Sequence, residues 1–173
     1  YSPSGKLPIT FYKRTQELPE FTDYSMKERT YRYLTTEPLY PFGYGLSYTE
    51  FELSGLKASV EKNEIRTKGI DISVTVKNTG NIEAKEIVQV YVKAERTGTP
   101  NAQLKAFKKV YIKPAEVIEV VLHLSPDSFA LCNQEGEKEI LPGEYSVFVG
   151  DTQPDSRSEY LTKKKPLKLS ITI

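Results

Sequence analysis

Among its 173 residues the chain has one cysteine, one histidine, one methionine and no tryptophan. The single Cys132 excludes an intramolecular disulfide and a cysteine-based zinc site. The single His123 excludes a histidine-rich metal centre, and no Ser-His-Asp arrangement can be built convincingly around it. Charge of one sign is also missing: 24 Lys+Arg against 23 Asp+Glu leave +1. A nucleic-acid partner is therefore not expected, because such proteins carry a clear basic excess. No run approaches the roughly 18 apolar residues of a membrane-spanning helix. No stretch has the basic start and apolar middle of a signal peptide. With Tyr1 at the start and Met26 as the sole methionine, the chain reads as a piece of something longer. A chain of this length buries roughly 70% of its unfolded surface and needs neither metal nor disulfide to fold.

Aromatic residues are plentiful and unevenly placed. Of the 19, 11 lie in residues 1–50, together with five of the 11 prolines. Neither a helical nor a strand period persists there. Lys6 to Tyr12 is expected to form a short edge strand that Pro8 begins or limits. Residues 23–34 are expected to form a turn or two of helix, with Asp23 or Ser25 as its N-cap. The rest is expected to be irregular, covering another surface with its rings.

From residue 51 onward strand-like runs recur between turn signals. Ile70, Ile72, Val74 and Val76 alternate with Asp71, Ser73, Thr75 and Lys77, the pattern of a half-buried strand. Further strands are expected over 53–60, 86–94, 104–112, 117–124, 144–150 and 166–173, with a weak one around 129–133. Gly80 is expected to take positive φ in the Asn78–Asn81 turn. Without helices for parallel crossovers, the outcome is an all-β, two-sheet antiparallel sandwich preceded by an irregular N-terminal segment. The division falls at 1–46 and 47–173.

Chemistry-bearing residues are few. Glu135, Glu137 and Glu139 alternate without apolar neighbours and are expected to be solvated, as are Glu83, Lys85 and Glu86. His123 falls on the polar register of its strand. Cys132 has no basic neighbour and is expected to be a buried small hydrophobe. Gly43-Tyr44-Gly45 lacks the strand before and helix after of a phosphate loop. No metal or cofactor is expected. The functional lead is aromatic: Arg29, Tyr31 and Tyr33, with Tyr40 to Tyr44, suit either stacking on sugars or packing between domains. The turn-rich loop 96–103 offers Arg96, Thr97, Thr99, Asn101 and Gln103 for sugar hydroxyls or a neighbouring domain.

Residues 38–51, PLYPFGYGLSYTEF, resemble the join between the second and third domains of glycoside hydrolase family 3 enzymes, the β-glucosidases and β-xylosidases. Pro3 to Phe11, PSGKLPITF, is similar to the end of that family's α/β sandwich domain, and Met26 to Tyr33, MKERTYRY, follows as in many bacterial members. Val76 to Gly80, Glu86 to Val92, Leu104 to Val110, Pro142 to Tyr145 and Val149-Gly150 resemble motifs of the family's fibronectin type III-like domain. Pro114-Ala115-Glu116 departs from the family's PGE, losing a turn glycine. Tyr44 stands where the family often has histidine.

The resemblance implies retaining hydrolysis by two carboxyl groups about 5 Å apart. The family's nucleophile and acid/base both lie upstream of Tyr1, so no catalytic residue carries over. The implied role is a non-catalytic module that stabilises upstream catalytic domains of the same protein and frames the substrate entrance. An independent carbohydrate-binding module for oligo- or polysaccharide, or a cell-surface adhesion domain, are the alternatives.

Overall fold

β-Branched residues at alternate positions drive the chain into antiparallel strands, because each such run offers one apolar face to bury. The structure, a computed structural model, describes residues 2–59 and 64–173. Strands β1 (Phe51–Ser59), β2 (Ile70–Asn78) and β5 (Val117–Leu124) form one sheet in the order β1-β2-β5. Strands β3 (Ala84–Ala94), β4 (Gln103–Ile112), β8 (Glu144–Gly150) and β9 (Leu167–Thr172) form the other in the order β4-β3-β8-β9. A two-residue hairpin, β6 (Leu131–Cys132) with β7 (Lys138–Glu139), closes one end. All pairings are antiparallel, so the fold is the expected fibronectin type III-like sandwich. Val60, expected at the end of β1, lies outside the described residues.

The core follows the alternation. Ile72, Val74 and Val76 of β2 face Val88 and Val90 of β3 and Val147 and Val149 of β8, all fully buried. Each such side chain contributes about 1.5–3 kcal/mol. Phe129, which ends the short 3-10 turn Pro126–Phe129, fills the space beside Tyr145 with rings edge to face at 5.6 Å. The described residues also include a 3-10 turn at Thr15–Glu17 and the short helices α1 (Thr30–Tyr33), α2 (Ile65–Lys68) and α3 (Ser156–Thr162).

Several expectations give way to tertiary contacts. Lys6 to Tyr12 forms no continuous strand: Phe11 bridges Tyr40, and Leu7 separately exchanges backbone hydrogen bonds with Tyr44 and Gly43. Pro8, which has no N–H to donate, interrupts the ladder between the two contacts. The helical turn starts at Thr30, with Arg29 at its N-cap. Asp23 instead accepts the Ser25 N–H in a local turn. Cys132 is exposed, because β6 turns Leu131 inward and leaves its neighbour facing water. Gly80 has no positive φ. A Cβ there would collide with the Thr49 hydroxyl, so close approach is what requires glycine.

The missing glycine of Pro114-Ala115-Glu116 has a visible cost. Ala115 stands at φ 60°, in the left-handed region, where its N–H donates to the Asn78 carbonyl. An L-side chain there costs about 1–2 kcal/mol, while glycine loses about 0.5–1 kcal/mol of backbone freedom. Ala115→Gly is therefore expected to stabilise by about 0.5–1 kcal/mol. Thermal unfolding should show a midpoint raised by about 2 °C. A lowered midpoint would mean that strain in this turn is relieved elsewhere.

Candidate functional site

Loops and irregular segments carry function when a rigid scaffold holds them, and here the scaffold is the outer face of the four-stranded sheet. On β3, Gln89 and Tyr91 point to that face, as does Phe148, which pairs with Tyr91 from β8. The N-terminal segment lies over them. Tyr31 stacks on Phe42 with ring centroids 4.1 Å apart and meets Tyr91 edge to face at 6.4 Å. Tyr91 is completely buried, and its hydroxyl donates to Gln89 Oε1 at 2.5 Å. Burial holds the Tyr91 phenol far above the ordinary tyrosine range, so it acts only as a neutral donor.

Gln89 in turn uses both amide hydrogens. Its Nε2 donates to the Gly43 carbonyl at 3.0 Å and to the Asp151 carbonyl at 2.8 Å. Gly43 has φ 77°, and a Cβ would collide with Gln89 Oε1 and crowd the Tyr91 hydroxyl. Gly45 packs against the Gly5 carbonyl with no room for a Cβ. The glycines of the Gly43-Tyr44-Gly45 motif thus permit backbone to lie flat on protein.

Glu86 is a correction. Expected in solvent, it is 4% exposed and pairs with Lys6 Nζ at 2.9 Å, while also accepting the Ile87 N–H at 2.8 Å. Its position shares the inward parity of Val88 and Val90, and only the ammonium of Lys6, remote in sequence, makes that burial tolerable. A second polar anchor is Asn78, fully buried. Its Nδ2 donates to the Ile82 and Ile112 carbonyls, and its Oδ1 accepts from the Thr49 hydroxyl and the Gly80 N–H. The sequence signal for both was there, in the Val76–Gly80 and Glu86–Val92 motifs, but without a partner to read.

The residues of the aromatic lead and the loop 96–103 separate into different roles. Asn101 donates to the Tyr31 and Leu34 carbonyls at 3.0 and 2.8 Å, and its N–H donates to the Arg32 carbonyl. Tyr31 is buried, and its hydroxyl accepts the Leu104 N–H. Arg96 reaches the Pro142 carbonyl at 3.3 Å. Gln103 opens β4 opposite Val92. Thr97 is exposed in the loop. Arg29 braces the turn before α1, and Tyr33 is 40% exposed beyond it. The structure therefore joins Tyr31 with Asn101 and leaves Arg29, Tyr33, Arg96 and Thr97 apart from them. His123 is exposed beside Asp71 at 2.7 Å. Among the described residues no three metal-ligating side chains cluster.

The side of the N-terminal segment turned away from the sheet is apolar and open. Ile9, Phe11, Leu39, Tyr40, Leu46 and Tyr48 are between 38% and 71% exposed. Tyr40 stacks on Tyr44 at 5.8 Å and meets Phe11 edge to face at 6.2 Å. A hollow of about 460 Å³ opens beside them, between Ile9, Tyr12, Met26, Tyr33 and Phe42.

Comparison with known proteins matches residues 1–48 to the Glycosyl hydrolase family 3 C-terminal domain and residues 86–153 to the Fibronectin type III-like domain. A xylan 1,4-beta-xylosidase of Xylanibacter ruminicola is 37% identical over 166 residues, which are 94% of this chain and 19% of that protein. The thermostable beta-glucosidase B of Acetivibrio thermocellus is 36% identical over 171 residues, covering 89% of this chain and 22% of its own. Among solved structures, beta-glucosidase 3B of Thermotoga neapolitana in complex with alpha-D-glucose superposes with a TM-score of 0.79 at 35% identity, over 99% of this chain and 24% of that one. The chain thus spans about a fifth to a quarter of the length of these relatives.

Proposed function

The chain belongs to glycoside hydrolase family 3, as the C-terminal module of such enzymes, and from that premise we propose that it serves a β-glycosidase without performing the chemistry. The sandwich is the rigid base. The N-terminal segment is the adaptor, fastened to the base by Gln89, Tyr91 and the Lys6–Glu86 pair. The carrying observation is the apolar strip from Ile9 to Tyr48 on the adaptor's free side. Soluble monomers rarely leave a large apolar patch exposed without a partner for it. Its partner is the catalytic portion of the same protein, and covering the strip stabilises that portion and frames the entrance to its substrate site.

The chemistry of the acidic residues supports a non-catalytic role. A retaining glycosidase needs one carboxylate as nucleophile and a second, protonated carboxyl as acid. Among the described residues, the acidic side chains drawn in from the surface are otherwise engaged, Asp151 facing Lys164 at 3.7 Å. Glu86 is paired with Lys6. Asp155, held above the ordinary carboxylate range by burial, caps α3 through the Ser158 N–H.

The purified chain is therefore expected to turn over neither nitrophenyl β-xyloside nor nitrophenyl β-glucoside. Activity that survives repurification would overturn the reading. The chain is also expected to bind an apolar dye such as ANS in the native state, and a Phe11→Ser/Tyr40→Ser double variant should reduce that signal. Equal dye binding by the variant would place the open surface elsewhere.

A further inference from the structure

Residues 20–25 read Glu-Phe-Thr-Asp-Tyr-Ser, two rings interleaved with four hydrogen-bonding side chains. Phe21 is 87% exposed and Tyr24 84%, more than any residue of the apolar strip. Yet their loop is closely braced. The Asp23 N–H donates to the Glu20 carbonyl, closing a turn around Phe21 and Thr22. Arg29 donates from Nη2 to the Glu20 and Asp23 carbonyls at 2.7 and 2.8 Å, and from Nε to the latter at 3.1 Å. Tyr12 holds the Glu28 carbonyl at 2.6 Å, and the Glu28 carboxylate takes both the N–H and the hydroxyl of Thr35. Met26, Glu28 and Thr30 all stand at positive φ, between 55° and 63°. Left-handed backbone at three residues without glycine persists only where surrounding contacts impose it, and such strain gathers at binding loops.

A braced loop that leaves two rings in water gains nothing from them in this chain. What covers them comes from outside, and the interleaved polar groups indicate its chemistry. The Thr22 hydroxyl makes no hydrogen bond among the described residues, and Asp23 Oδ1 accepts the Ser25 N–H within the loop. The Ser25 N–H and hydroxyl hold the Asp23 carboxyl below its ordinary range, so it remains an acceptor in mildly acid solution. An apolar protein surface would leave these acceptors dry and unpaired. A sugar presents flat C–H faces to rings and a rim of hydroxyls to acceptors, and so satisfies both. Three residues apart, the two rings stand within about 10 Å along the chain, in reach of neighbouring units of one saccharide.

We propose that Phe21 and Tyr24 form a stacking platform for a β-linked oligosaccharide, with Thr22 and Asp23 bonding its hydroxyls. The choice of a β-linked sugar rests on the glycosidase reading; the platform itself rests on the loop. It feeds or retains longer substrates.

The test is a titration of the ¹⁵N-labelled chain with xylohexaose, cellohexaose and, as an α-linked control, maltohexaose. Amide signals of residues 20–26 are expected to shift with a millimolar Kd for at least one β-linked sugar and not for maltohexaose. Phe21→Ala and Tyr24→Ala should each raise that Kd about two- to ten-fold, and the double variant should abolish binding. Both side chains are exposed, so the variants keep the fold, which unchanged spectra elsewhere would verify. No shift at millimolar sugar, or equal shifts in the double variant, would overturn the platform. So would shifts that depend on protein concentration without sugar and vanish in the double variant, since the rings would then serve a second copy. Equal binding of maltohexaose would overturn the β-linked class. The hydrolysis assay above reads the glycosidase proposal separately, so the two can fail independently.

Discussion

Tyr91→Ala is expected to lower the midpoint of thermal unfolding by about 10 °C and to loosen the N-terminal segment more than the sandwich. Removing a buried aromatic ring costs about 3–5 kcal/mol through lost contacts and the cavity left behind. For a chain of this size each kcal/mol corresponds to about 2–4 °C. Tyr91 is fully buried, and its ring supports Tyr31, which stacks in turn on Phe42. Amide exchange is therefore expected to speed up across residues 31–44 before it does in β2. Tyr91→Phe keeps the ring and removes only the donor to Gln89 Oε1, at a cost of about 1 kcal/mol. A large loss of stability in Tyr91→Ala with unchanged exchange at residues 31–44 would make the ring ordinary sheet packing and sever it from the adaptor role.

The second large effect concerns Asn78. Asn78→Ala is expected to destabilise by about 2–4 kcal/mol, because it strips partners from the Ile82 and Ile112 carbonyls, the Gly80 N–H and the Thr49 hydroxyl together. The side chain joins the end of β2 to the end of β4 and to the entry of the chain into β1. Asn78→Asp is nearly the same shape, yet near neutral pH it is expected to be worse than alanine. Its carboxylate would sit buried against the Ile82 and Ile112 carbonyl oxygens, with no donor of its own. Urea unfolding of the three proteins checks the order. A loss below about 1 kcal/mol in Asn78→Ala would mean that water replaces the amide at this corner.

Much of the sandwich was legible because burial imposes a period of two on any strand with one wet face. Ile70 to Val76, Ile118 to Leu124 and Tyr145 to Val149 each announce their inward residues by alternation, and the structure buries them or packs them against the core. Helix α3 gave no such notice. Ser156 to Thr162 has no apolar stripe and is only seven residues long. It is started by the Asp155 cap and stopped by Lys163 in the left-handed conformation. A cap is a local signal, but without a stripe behind it the same residues read as a loop.

What the sequence alone determined is the seven strands of the two sheets, most of their inward faces and the kinship of their motifs. All of these are written in neighbours two residues apart or in short ordered words. Only the tertiary structure decided which polar residues are buried and why particular glycines are needed. Glu86 is inside because Lys6, 80 residues earlier in the chain, neutralises it. Gly80 is glycine because Thr49 approaches its Cα, and Gly43 because Gln89 and Tyr91 lie beneath it. Asn101 binds the carbonyls of the turn containing Tyr31 and Leu34, which no spacing in the loop could foretell. The physical reason is common to all four. The energy of a buried polar group or a close backbone approach depends on a partner remote in sequence, and one-dimensional pattern holds no distance between such partners.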